Sequence, residues 1–414
     1  MRIHLGVNIM KRKLLIASLS AMACLTVSSC DMISGFFPNP GLTEKEARTF
    51  TQDAEKSTRN HLATVANGDT YYLDVTASAS ANYDVTIKNS STYDSKVEES
   101  RNYGSVEGGA NAHLQLDLAS IRNDKLGTSN VNASGNAVLV SNSVEGGETY
   151  TDKFDRSMSI YGDKSSLTLN VKEGEDTNSQ VSSLSNDAEK MLADLINEAV
   201  VAPSKQKFDM SVITGAAESM YIDWSWYDEF ESKTNQFKDK EITSADYLDY
   251  VDSKFFGDVL ENDLDDESYA LIVKVLDKQE AILPEYFFTY TKESNDAGTI
   301  LHGVFNYELW KLALQAAVVE IAAEEVESLE DLMNDVEELT TLYMPTKFVW
   351  EYDLVVDTNG VISGYQLHLD VEGTYKAENE WIYGETTYVD TQEFIYKAST
   401  TIKFDFRVAN TPKV

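Results

Sequence analysis

The chain is poor in cysteine. Its 414 residues include two, Cys24 and Cys30. Nothing beyond Cys30 can therefore form a disulfide or give a thiolate to a metal. Histidine is also scarce: His4, His61, His113, His302 and His368 are scattered, with no H-E-x-x-H or similar ligand spacing. They read as ordinary surface histidines. Three glycine-based signatures are missing. Without G-x-S-x-G there is no nucleophile elbow. Without G-x-x-x-x-G-K-S/T or G-x-G-x-x-G there is no phosphate loop or dinucleotide fingerprint. No cofactor is expected, and the chain is not read as an enzyme. Basic residues are few, 34 Lys and Arg against 69 Asp and Glu, which disfavours nucleic acid and anionic membrane surfaces as partners.

What is present begins with a leader. Lys11-Arg12-Lys13 is followed by the apolar stretch Leu14 to Val27 and then Ser28-Ser29-Cys30. A cationic head, an apolar core and small residues before a cut site make a secretory signal. The stretch is shorter than the roughly 20 apolar residues that span a bilayer. Val27-Ser28-Ser29-Cys30 resembles the lipobox of bacterial lipoproteins, with valine where leucine is commoner. The resemblance covers the leader as far as Cys30 and no further. It implies cleavage before Cys30 and lipidation of its sulfur, hence a protein held on a membrane of the cell envelope, on its extracytoplasmic side. Two or more acyl chains would anchor it stably. Removing residues 1–29 removes four basic residues (Arg2, Lys11, Arg12 and Lys13) and no acidic ones, so the expected mature chain has 30 basic and 69 acidic residues, a charge of −39.

The expected organisation is a signal at residues 1–29 and a Gly/Pro-containing tether at 30–41. A strand-rich half at 42–202 and an α+β half at 203–414 follow, and the two halves could form one continuous domain. Thr43 and Glu46 have capping-box spacing, and Ala47, Phe50, Ala54, Leu62 and Val65 form a stripe, so Leu42 to Val65 is expected to be helical. From Thr70 to Lys172 the pattern has a period of two, as in Leu114, Leu116 and Leu118 against His113, Gln115 and Asp117. This describes a sheet with one wet face. Asn186 to Val201 is expected as a helix, and Lys207 to Tyr227 as strands. Helices are expected over Thr243 to Leu260, Asp265 to Leu283 and about Glu308 to Tyr343. In the last of these, Leu314, Val318 and Ile321 form one inner stripe, and Leu329, Leu332, Met333, Val336 and Leu339 form a second. Glu285 to Thr291 and Thr299 to Tyr307 read as strands. The stretch from Phe348 onward alternates most clearly: Phe348 to Val356, then an Asp357-Thr358-Asn359-Gly360 hairpin, then Tyr365 to Val371 and Ile402 to Val408.

Candidate chemistry is sparse. Trp224 and Trp226 would share one strand face in the run from Asp223 to Glu229, with Tyr221 just before it. Together with Trp350 these are the candidate ligand-binding residues, because aromatic faces stack on sugars and lipids. Asp263, Asp265, Asp266 and Glu267 are a weak metal set of hard oxygen donors, and Asp357 to Gly360 is a fragment of a calcium loop. Both read first as a helix start and a hairpin turn, so no metal is expected.

The fold class expected is α+β, a curved, half-barrel-like antiparallel sheet with helices on its concave face. The alternatives are two α+β domains or a β-sandwich with a helical insert. The order of elements resembles the lipoprotein-carrier fold of LolA and the LppX/LprG lipoproteins, over the stretch that follows Pro203. That resemblance rests on layout, and no ligand residue carries over. It implies a non-catalytic binding protein whose hollow takes a lipid or other amphiphile. The alternatives are a surface adhesive, structural or glycan-binding lipoprotein, and an envelope glycan hydrolase using Asp223 and Glu229. No protein partner is predicted.

Overall fold

A computed structural model describes residues 41–411 apart from 94–96, 122, 124–127, 146–147, 164–165, 174–223, 258–264, 324–331, 338–339, 341–343 and 384–385. The chain is α+β and carries one open antiparallel sheet of ten strands. Helix α1 (Glu44–Ala66) leads into β1 (Thr70–Ser91) and β2 (Val97–Asp117). The single turn α2 (Leu118–Ile121) precedes β3 (Asn130–Glu145), β4 (Glu148–Asp163) and β5 (Ser166–Glu173). Helices α3 (Ser225–Lys238), α4 (Ser244–Val251), α5 (Asp266–Leu276) and α6 (Gln279–Ile282) come next. The hairpin β6 (Phe288–Asn295) and β7 (Gly298–Phe305) leads into α7 (Tyr307–Ala322). The chain ends with β8 (Lys347–Asp357), β9 (Ile362–Tyr383) and β10 (Thr386–Ala409).

The strand order is β5-β4-β3-β2-β1-β10-β9-β8-β7-β6. Two five-strand meanders are thus joined through their first and last strands. The joining ladder runs without a break from Tyr72 opposite Ala409 to Ser91 opposite Asp390. It puts strands from both halves of the sequence, 42–202 and 203–414, into one sheet. The seam expected near residue 203, the helix at Asn186 to Val201 and Cys30 lie outside the described residues.

The chain forms two compact units. One comprises the described residues of Met1–Gln52, Ile222–Lys292 and Gly303–Thr341; the other holds the rest. In the first unit, Thr43 caps α1. Its hydroxyl oxygen accepts from the Glu46 backbone N–H, and the Glu46 carboxylate accepts from the Thr43 N–H at 2.8 Å. The expected capping box is therefore formed. Arg48, itself buried, bonds to Asn235 at 2.9 Å and to Asp239 at 2.6 Å, which docks α1 against the end of α3. Phe237 and Tyr247 stack with centroids 4.3 Å apart, and Val275, Ile282, Tyr286, Phe287 and Phe305 are buried in the same unit. Lys238 and Glu285 form an ion pair at 3.2 Å with both side chains almost fully enclosed. Charges so desolvated depend on each other.

Several expectations on this unit are corrected. Residues 225–227 start a helix rather than end a strand: Phe230, Thr234 and Phe237 recur at helical spacing, and Asp228 sits in the first turn, where the helix dipole favours it. The strand expected at Glu285 begins only at Phe288. Pro284–Phe287 is a tight 3₁₀ turn set by proline at its first position. The helix expected over Asp265 to Leu283 breaks after Leu276. In the helical residues 332–337, Leu332 and Val336 are buried but Met333 is 55% exposed, so it leaves the expected inner stripe.

In the second unit the end of α1 lies on the sheet. Val65 packs with Tyr71, Leu116 and Leu118, alongside Leu73 and Val408. The Thr58 hydroxyl oxygen accepts from the Ile362 N–H at 2.8 Å, and the His61 ring lies 2.7 Å from the Val408 carbonyl. His61, expected at the surface, is thus half-buried because it ties the helix to β10. The Asp357 carboxylate accepts from the N–H groups of Asn359 and Val361 at 2.8 and 2.9 Å, and Gly360 takes a φ of +79°. This is a hairpin turn, as the sequence suggests, with its carboxylate already used by its own backbone.

Candidate functional site

Register decides which side chains share a face of the sheet. Opposite residues lie on one side, so the odd residues of β1 share a face with the even residues of β2 and β10, the odd residues of β9 and the even residues of β8. That face carries Leu73, Val75, Ala77, Val85 and Ile87 from β1. It continues with Ile402, Phe404 and Phe406 of β10, Tyr365, Leu367 and Leu369 of β9, and Trp350, Tyr352 and Leu354 of β8. On the other side of β1 lie Leu114, Ala112, Ala110 and Val106 of β2. Of the strands read as alternating, β1, β2, β8, β9 and β10 present their apolar sets here. Tyr365, Ile402 and Phe404 are 37%, 40% and 38% exposed. Phe404 stands directly opposite Tyr365, which stacks on Tyr352 with centroids 6.1 Å apart. Two tyrosines lie flat over glycines: a Cβ added to Gly373 would meet the Tyr396 hydroxyl oxygen at 2.3 Å, and one added to Gly104 would meet the Tyr83 ring at 2.8 Å.

The opposite face is charged. His113, Asp74 and Arg407 form a row across β2, β1 and β10. The His113 ring nitrogen lies 2.5 Å from one Asp74 oxygen, and the Arg407 guanidinium donates to the other at 3.3 Å. Burial works against charge on Asp74, but hydrogen bonds from His113 and Arg407, with their charges, outweigh it and hold the carboxyl below its usual range. Lys347, Glu372 and Lys397 form a second row, with Glu372 accepting from Lys397 at 2.6 Å. One face is wet and ionic, the other apolar.

At the far ends of β1, β2, β9 and β10 the apolar face gives way to a cavity of about 470 Å³. Its lining on this face is Asn89, Ser91, Glu98, Ala377, Asn379, Asp390 and Gln392, and Ser90, Glu378 and Thr391 complete it. The Gln392 amide donates to the Asn89 oxygen at 3.0 Å, and the Ser91 hydroxyl donates to Asp390. Among the described residues, no lysine or arginine lines it. Along the sheet it is bracketed by aromatic pairs on the same face. Tyr375 and Phe394 lie on one side with centroids 6.0 Å apart; Tyr93 and Tyr388 lie on the other at 5.1 Å, edge to face. Tyr93 is 61% exposed. None of these residues stands out in the sequence, since they come from four strands and, for Tyr93, the turn after β1. The available signal is that alternation changes character at matching depths, from Ile87 to Asn89 and Ser91 in β1, and from Phe394 to Gln392 and Asp390 in β10.

The sequence-derived candidates are not brought together. Trp224 precedes the first turn of α3 and Trp226 lies within it, 37% and 47% exposed, each edge-on to Tyr227. They do not share a strand face, because this stretch is helical. Trp350 belongs to the other compact unit, half-buried on the apolar face. Tyr221 and Asp263 lie outside the described residues. Asp265 caps α5 by accepting from the Ser268 N–H at 2.7 Å, and Asp266 and Glu267 open the helix. Among the described residues no three carboxylate, histidine or cysteine side chains converge as a metal site would require.

No family model, curated protein or solved structure matches this chain.

Proposed function

We propose that this is a lipid-anchored extracytoplasmic protein of the bacterial envelope that binds the apolar part of an amphiphile on its sheet. The observation that carries the reading is the apolar face. Side chains from β1, β2, β8, β9 and β10 make it continuous, and Tyr365, Ile402 and Phe404 remain more than a third exposed there. An apolar surface of this extent is favourable to cover, at about 25 cal/mol per Å² removed from water. A membrane tether at Cys30 would keep that surface where acyl chains are abundant. The opposite face, with its rows of ion pairs, offers an acyl chain nothing, so binding is one-sided.

The test uses cis-parinaric acid as a fluorescent acyl probe on the purified protein. Saturable binding, displaced by palmitate and weakened about tenfold or more by Phe404→Asp together with Ile402→Asp, is the expected outcome. Both side chains are exposed, so circular dichroism should show the variant folded. Absence of saturable binding, or equal binding by the folded variant, would overturn the reading.

A further inference from the structure

We infer that the cavity at the far ends of β1, β2, β9 and β10 is a binding site for a neutral saccharide. Its volume, about 470 Å³, falls in the range of small-ligand sites. Its chemistry narrows the ligand. Asn89, Asn379 and Gln392 each carry an amide that both donates and accepts, which matches hydroxyl groups that do the same. Among the described residues, Asn89 and Gln392 satisfy each other through one bond, leaving the Asn89 amide hydrogens and the Gln392 oxygen for a ligand. Glu98 adds an acceptor, and Asp390 takes the Ser91 hydroxyl. With carboxylates present and no basic side chain among the described lining residues, phosphates and carboxylates are disfavoured.

The flanking rings give the second, independent argument. Tyr93 with Tyr388, and Tyr375 with Phe394, bracket the polar row on the same face. The exposed ring of Tyr93 offers an apolar surface to the C–H face of a sugar while the amides engage its hydroxyls. The order of aromatic, amide and carboxylate, and aromatic again along the strands suits a short run of sugar units lying parallel to β1 and β10. This inference does not depend on acyl binding, because none of its residues belongs to the patch at Ile402 and Phe404.

The experiment is saturation-transfer NMR, followed by calorimetry, of the purified protein with trimers of N-acetylglucosamine, glucose and mannose, and with spermidine as a cationic control. Binding of at least one trimer is expected, weakened about tenfold or more by Asn89→Ala with Gln392→Ala, and also by Tyr93→Ala. All three positions are exposed, and an unchanged circular dichroism spectrum and urea midpoint would show the sheet intact. No trimer bound, a trimer bound equally by both variants, or spermidine bound in competition with the trimers would each overturn the inference.

Discussion

Asp74 is the middle of a three-residue row, with His113 on one side and Arg407 on the other. Its carboxyl titrates below the ordinary range in the folded protein. A depressed carboxyl pKa contributes stability that is present above the unfolded value and is lost as pH falls through the folded one. Asp74→Asn is therefore expected to lower Tm by a few degrees at neutral pH, since the row is partly solvent-screened. The gap between variant and parent should close as pH drops below the usual carboxylate range. Thermal scans across that range check it, and a constant gap would show that the carboxylate's charge is irrelevant. At this scale the sequence was legible where a side chain acts on its own backbone. The Thr43–Glu46 box and the Asp357 turn depend on neighbours only a turn away in the chain. It was illegible at Trp224 and Trp226, because aromatic residues favour strands. The helical spacing of Phe230, Thr234 and Phe237 starts only after them.

The long strands solve a local problem at Gly373. In β9 its missing side chain leaves room for the ring of Tyr396 in β10, which covers the gap from the opposite residue. Gly373→Val would push that ring aside and is expected to cost about 1–3 kcal/mol, read as a lower urea midpoint. Adding Tyr396→Ala should return part of the loss, since the clash goes with the ring. Failure of the double variant to recover would locate the cost in the backbone instead. Elements were legible as faces: Leu114 and Leu116, Tyr365 to Val371 and Ile402 to Val408 all point to the side that period-two alternation gives them. Strand length was less legible. The Ser/Asn/Gly-rich stretches Gly127 to Gly135 and Ser141 to Gly147 read as exposed turns, yet Asn130 to Gly135 and Ser141 to Glu145 belong to β3, because β2 and β4 pair with it on both sides.

For the whole molecule the decisive contact is the ladder between β1 and β10, the first and last strands of the chain. Nothing local encodes it, so neither the joining of the two meanders nor the convergence of Asn89, Glu98, Asn379 and Gln392 could be read from the chain. The entropy of closing so long a loop must be met before the ladder returns any stability. Residues 42–202 and 203–414 expressed as separate pieces are expected to stay unfolded alone and to regain strand signal in circular dichroism when mixed. A piece that folds cooperatively by itself would contradict this.

That ladder also has a mechanical meaning. β1 runs about 70 Å from the end where α1 enters to the cavity at Ser91. A pull between the start of β1 and the cavity would carry tension along the strand axis. The bonds of β1 to β2 and β10 lie across that axis. They would be loaded in shear, sharing the force along both flanks, instead of being peeled apart one at a time.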